Sequence, residues 1–118
     1  MKRVLCSVIA ASTISLCGLA FAADYAPIDC AKATSAADRT ICRNYALGRA
    51  EARMATLYGI DMSLVAMGQR GDIGDAQKLW LKTREACGSD VACLTKAYDG
   101  RIRQLNKVID GIATNGPY

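Results

Sequence analysis

Gln77 to Leu105 is the most constraining stretch of this sequence. Within it Gln77, Trp80, Arg84 and Cys87 are spaced three, four and three residues apart. On a helix that spacing puts all four on one face. Gly88 follows, and glycine takes the left-handed backbone that ends a helix at no steric cost. Ser89 or Asp90 can cap a second helix, on which Cys93, Leu94, Tyr98, Arg101, Ile102 and Leu105 again recur every three to four residues. The spacing predicts a helix–corner–helix unit with a cysteine on each side of the corner. It specifies architecture; no set of side chains here specifies a reaction.

The chain has 118 residues, enough for one small domain. Met1-Lys2-Arg3 is a short basic start, Val4 to Leu19 is apolar, and Ala20-Phe21-Ala22 has the small-x-small form of a signal-peptidase site. A cleaved signal over residues 1–22 is therefore expected, with Ala23 as the neighbouring cut. A retained membrane anchor fits less well, because the run is short and holds Ser7, Ser12, Thr13 and Ser15. A lipid anchor on Cys17 would need a small residue where Leu16 stands. The expected protein is thus periplasmic or secreted, with no membrane insertion after cleavage.

Cys6 and Cys17 leave with the signal, so Cys30, Cys42, Cys87 and Cys93 remain. An even count in a small exported domain points to disulfides, since the compartment is oxidising and the core is small. Four cysteines allow three connectivities. The local one, Cys30 with Cys42 and Cys87 with Cys93, is favoured, the second bridge closing the corner. Zinc prefers closer cysteine pairs, and the chain has no histidine, so no metal or cofactor is expected.

Loss of Lys2 and Arg3 lowers the formal net charge from +4 to +2. Both signs are interspersed along the helical segments, an ordinary solvated surface and not a nucleic-acid footprint. Residues 30–34 read as extended. Ser35 begins a capping-box pattern with Asp38, opening a short helix from Ala36 to Arg43. Asn44 can cap a longer one from Tyr45 to Met67, with Gly48 and Gly59 marking close helix contacts or a bend. Gly68 to Gly74 reads as a glycine-rich loop, with Asp72 or Asp75 capping a third helix that ends at Cys87. A fourth should run from Asp90 to Ile109, and Gly111 to Tyr118 reads as a frayed tail. The fold class is all-α, a small antiparallel bundle of about four helices clipped by two disulfides.

Several residues have an architectural and a functional reading. Trp80 and Arg84 could anchor a partner, but a tryptophan filling the bundle with the arginine packed on it or paired with an acid is the simpler account. Tyr98 and Arg101 read as a buried tyrosine with a satisfied hydroxyl and a helix salt bridge. Asp72, Asp75, Ser89 and Asp90 are the exposed acidic or polar candidates for a binding surface, against a plain capping role. Catalysis finds little support. Nucleophilic chemistry wants a base beside the nucleophile, histidine is absent, and nothing in the spacing of Glu51 and Glu85, the only glutamates, sets them about a cleft.

The order Gln77, Trp80-Leu81, Arg84, Cys87, Cys93-Leu94, Tyr98, Arg101-Ile102, Leu105 resembles the LprI-type lysozyme inhibitor domain family. Asp29-Cys30-Ala31-Lys32-Ala33, Ile41-Cys42, Leu47 and Met54-Ala55-Thr56-Leu57-Tyr58 extend the resemblance over residues 29–106. It implies an exported, all-helical, disulfide-bonded binding protein. The family takes its name from inhibition of lysozyme by a mycobacterial lipoprotein member. The implied partner is a protein, lysozyme first, with an envelope interaction module as the alternative. Where the family usually has aspartate in the second helix, this chain has Glu51, and the family pattern pairs that acid with Arg84 or Arg101.

Overall fold

The computed structural model describes Tyr25 and residues 27–116. The expected signal peptide, with Cys6, Cys17 and the Ala22 cut, lies outside the described residues. Among the described residues four α-helices follow one another: α1 (Ala36–Arg43), α2 (Tyr45–Leu64), α3 (Met67–Ala86) and α4 (Val91–Asn115).

Three of the helix starts follow from short polar side chains. Ser35 Oγ accepts from Asp38 N at 3.0 Å, Asn44 Oδ1 from Leu47 N at 3.1 Å, and Asp90 Oδ1 from Cys93 N at 3.0 Å. Each satisfies an amide that the first turn leaves without a partner. Asn44 also closes α1, its own N–H donating to Thr40 and Ile41 carbonyls. Gly88 has φ +55°, the left-handed backbone expected at the α3–α4 corner. Both disulfides form in the local pairing, Cys30–Cys42 and Cys87–Cys93.

Several boundaries differ from the sequence reading. Cys30–Lys32 form a short 3-10 turn capped by Asp29, not an extended strand. α2 stops at Leu64, three residues early, and Val65-Ala66 alone connect it to α3. The glycine-rich segment is therefore helix and not loop, and neither Asp72 nor Asp75 caps it. Ala66 occupies the cap position, with no side-chain hydrogen bond. Tertiary contact offsets the low helix propensity of Gly68, Gly71 and Gly74. Ile73 packs on the core, and its carbonyl accepts from Arg101 Nη2 at 3.2 Å. A Cβ at Gly59 would meet nothing within 4 Å, and one at Gly48 would meet Ile41 O at an ordinary 3.7 Å, so neither glycine marks a close helix contact. At the other end α4 runs on to Asn115, because Leu105, Val108, Ile109 and Ile112 continue the apolar spacing.

Side-chain contacts fix the directions. Met54 meets Gln77 and Glu51 meets Arg84, so α2 and α3 are antiparallel; Trp80 meets Ala97 and Gln77 meets Arg101, so α3 and α4 are too. The core is built from Ala37, Ile41, Leu47, Met54, Tyr58, Trp80, Leu94, Tyr98, Ile102 and Leu105. No helix among the described residues is long and apolar enough to cross a membrane.

Candidate functional site

Among the described residues five polar or charged side chains are buried in the bundle: Glu51, Asp61, Gln77, Arg84 and Arg101. A buried charge is tolerated only when paired and hydrogen-bonded, so the partners of each decide what it does. They form two layers.

The first is centred on Arg84. Its Nη2 donates to Asp38 Oδ1 at 2.9 Å and to Glu85 Oε1 at 2.7 Å. Its Nη1 donates to Tyr25 Oη at 2.8 Å and lies 3.5 Å from Glu51 Oε2. Glu51 in turn accepts from Tyr25 Oη on one oxygen and Tyr98 Oη on the other. Asp38 thus turns away from the reciprocal half of the capping box and bonds Arg84 instead. Trp80 lies under the guanidinium, 5.8 Å from ring centroid to Cζ, and its Nε1 donates to Ala97 O at 2.9 Å. Trp80 and Tyr98 pack edge to face, 5.2 Å between centroids.

Burial disfavours the phenolate of Tyr25 and Tyr98, and the negative charge of Glu51 adds to it, so both hydroxyls titrate well above the usual tyrosine range. Burial also works against the Arg84 cation. The hydrogen bond to Glu85 and the charge of Glu51 act the other way, and its pKa is raised. The centre is an arginine held permanently charged among carboxylates, with two tyrosines as fixed donors.

The second layer is centred on Arg101. Its Nε donates to Gln77 Oε1 at 2.8 Å, its Nη1 to Gln104 Oε1 at 3.2 Å, and its Nη2 to the Ile73 carbonyl. Gln77 Nε2 contacts Met54 Sδ at 3.3 Å. Arg101 makes no ion pair within 4 Å among the described residues, so the expected helix salt bridge is replaced by amide and carbonyl acceptors. Burial lowers its pKa, with Tyr58 and Asp61 opposing. Asp61 is wholly buried, and neither carboxylate oxygen has a hydrogen-bond partner among the described residues. Desolvation pushes its pKa up to about 6, against the attraction of Arg101.

The motif residues Gln77, Trp80, Arg84, Tyr98 and Arg101 are therefore all interior and mutually engaged. Glu51 pairs with Arg84 and not with Arg101. Tyr25 and Asp61 are the members that the sequence reading missed. Tyr25 precedes Cys30 and carries no helical period; Asp61 stands within an apolar stripe, with nothing local to mark a partner. The four surface candidates are not gathered into one place. Asp72 and Asp75 are exposed on α3, and Asp75 Oδ1 pairs with Lys78 Nζ at 3.2 Å. Ser89 and Asp90 are exposed at the α3–α4 corner, where Asp90 serves as the cap. Among the described residues no group of three or more histidine, cysteine or acidic side chains could hold a metal ion.

No family model, no curated protein and no solved structure matches this chain.

Proposed function

We propose that this chain is an exported, monomeric binding protein of the LprI type whose target is a lysozyme. The observation that carries the reading is the corner between α3 and α4. Cys87 and Cys93 brace it, Gly88 turns it, and Ser89 and Asp90 stand exposed upon it. A turn held rigid before contact loses little conformational freedom on binding, which favours affinity. The motif residues Gln77, Trp80, Arg84, Tyr98 and Arg101 support the framework beneath and are buried away from a partner. Both glutamates lie against one guanidinium, an arrangement suited to holding helices together and not to acid–base work on a substrate.

The test is lysis of a peptidoglycan suspension by a lysozyme, with and without the oxidised protein. Dose-dependent protection should appear, weaken on reduction of the disulfides, and fall with Ser89→Arg. No protection at large molar excess would reject lysozyme as the target. A second reading, a periplasmic interaction module that never meets lysozyme, is favoured by charge. Animal lysozymes are strongly basic, and this chain is basic as well.

A further inference from the structure

Tyr45, Arg49 and Arg53 follow one another at four-residue intervals along the solvent side of α2. Tyr45 is 82 % exposed, and the Arg49 guanidinium lies over its ring at 5.8 Å. Arg43, in the last turn of α1, is exposed just before it. From residue 39 to residue 60 the only carboxylate is Glu51, which is buried on Tyr25, Tyr98 and Arg84. Arg43, Arg49 and Arg53 have no ion pair among the described residues. This outer face is basic, and Asp99 of α4, which lines a groove beside it, makes no ion pair within 4 Å with any of the three arginines.

A shallow groove flanks the Tyr45–Arg49 pair on each side. One, of about 350 Å³, is lined by Pro27, Ile28, Ile41, the Cys30–Cys42 bridge, Glu51 and Ala52. The other, of about 360 Å³, lies between α2 and α4 over Ala46, Ala50 and Ile102, with Arg53 and Asp99 at its edge. Tyr45 and Arg49 line both.

We infer that this ridge is a docking surface for a segment of a partner protein that sets acidic side chains beside apolar ones. Tyrosine and arginine are the residue types that dominate protein interfaces, and here they stand together. A guanidinium grips a carboxylate through two parallel hydrogen bonds, and these guanidiniums need break no ion pair among the described residues to do so. The first groove has a mainly apolar wall that suits an aliphatic or aromatic side chain, and the second offers the small apolar surface of Ala46, Ala50 and Ile102 beside charged residues. A bare polyanion would satisfy the arginines and leave both grooves unused. The inference rests on the reading of the chain as a binding protein but not on lysozyme as its target, since a strongly basic enzyme is repelled from this face.

The test pans a displayed library of random linear peptides against the immobilised oxidised protein and measures the enriched peptides by fluorescence anisotropy. Enriched sequences should pair Asp or Glu with Leu, Phe or Trp. Their affinity should fall roughly tenfold or more in Arg49→Glu, Arg53→Glu and Tyr45→Ser, as for interface hot spots. Arg103→Glu, an exposed change on α4, should leave it unchanged. Circular dichroism of each variant confirms the fold. Absence of enrichment, enrichment without acidic bias, or binders indifferent to the three substitutions would each overturn the inference. Two further results would overturn it: capture by phosphatidylglycerol vesicles, or self-association, lost in the same variants while no peptide enriches. The lysis assay on these variants separates the readings, because protection should survive the loss of peptide binding.

Discussion

Arg84 Nη1 and Glu51 Oε2 lie 3.5 Å apart between α3 and α2, with side chains only 6 % and 5 % exposed. Neither depends on the other alone. Arg84 also holds Asp38 of α1 and Glu85, while Glu51 also receives two tyrosine hydroxyls. Arg84→Met should therefore destabilise more than Glu51→Gln. It strands a buried carboxylate and cuts α1 from α3, at about 3 to 5 kcal/mol. Glu51→Gln keeps an acceptor for one tyrosine and should cost about 1 to 3 kcal/mol. Urea unfolding of both and of the double variant checks this, and the double should cost less than the sum. Unchanged melting temperatures would mean the network does not hold the fold.

Asp61 sets a pH dependence of opposite sense to that of a salt-bridged acid. Its folded pKa of about 6 lies above the ordinary 3.8. Below pH 3.8 the carboxyl is neutral folded or unfolded and costs nothing. As pH rises to about 6 the unfolded chain ionises first, stability falls, and above that the cost is constant. The displacement corresponds to about 2 to 3 kcal/mol. Asp61→Asn should therefore raise the melting temperature at pH 7.5 and lose most of that advantage by pH 4.

The two disulfides should contribute unequally. By the loop-closure estimate the Cys30–Cys42 bridge, with a separation of 12, is worth about 3 kcal/mol. The Cys87–Cys93 bridge, with a separation of 6, is worth about 2 kcal/mol. The first also steadies the segment that brings Tyr25 to Glu51. Tyr25→Phe should then cost less in a Cys30→Ser/Cys42→Ser background than in the native chain, which a double-mutant cycle measures.

Glycines on α3 and at its end should respond in opposite ways. A Cβ at Gly71 would meet nothing within 4 Å, and the residue is helical. Gly71→Ala should stabilise by up to about 1 kcal/mol. Gly88 also has open space but sits at φ +55°. Gly88→Ala should destabilise by about 1 kcal/mol. Thermal melts of the two variants decide the matter.

Helix number, both disulfides and three caps were legible because each leaves a local mark: a period, a cysteine pair, a short polar residue before an apolar stripe. Met67 to Gly74 was not. Three glycines in seven residues outweigh any local helical signal, and what holds the segment is contact with Arg101, nearly thirty residues away in sequence. The interior role of Trp80 and Arg84 could be read from their shared face on α3, and that of Tyr98 from the three-to-four-residue spacing of α4. The completion of that centre by Tyr25 could not, since one tyrosine ahead of the first helix carries no period. The Tyr45–Arg49–Arg53 stripe has helical spacing, but only the burial of Glu51 reveals that the one carboxylate near it on α2 is engaged elsewhere.

The bridge from Cys30 to Cys42 has a consequence for thiol chemistry. If oxidation steadies Tyr25 on the buried carboxylate, then a well-formed centre must by the same free energy resist opening of that bond. Reduction and unfolding become one linked equilibrium. Variants that weaken the Arg84 layer should therefore let a dithiol reductant open the bridge at a less reducing potential, although neither sulfur has been touched.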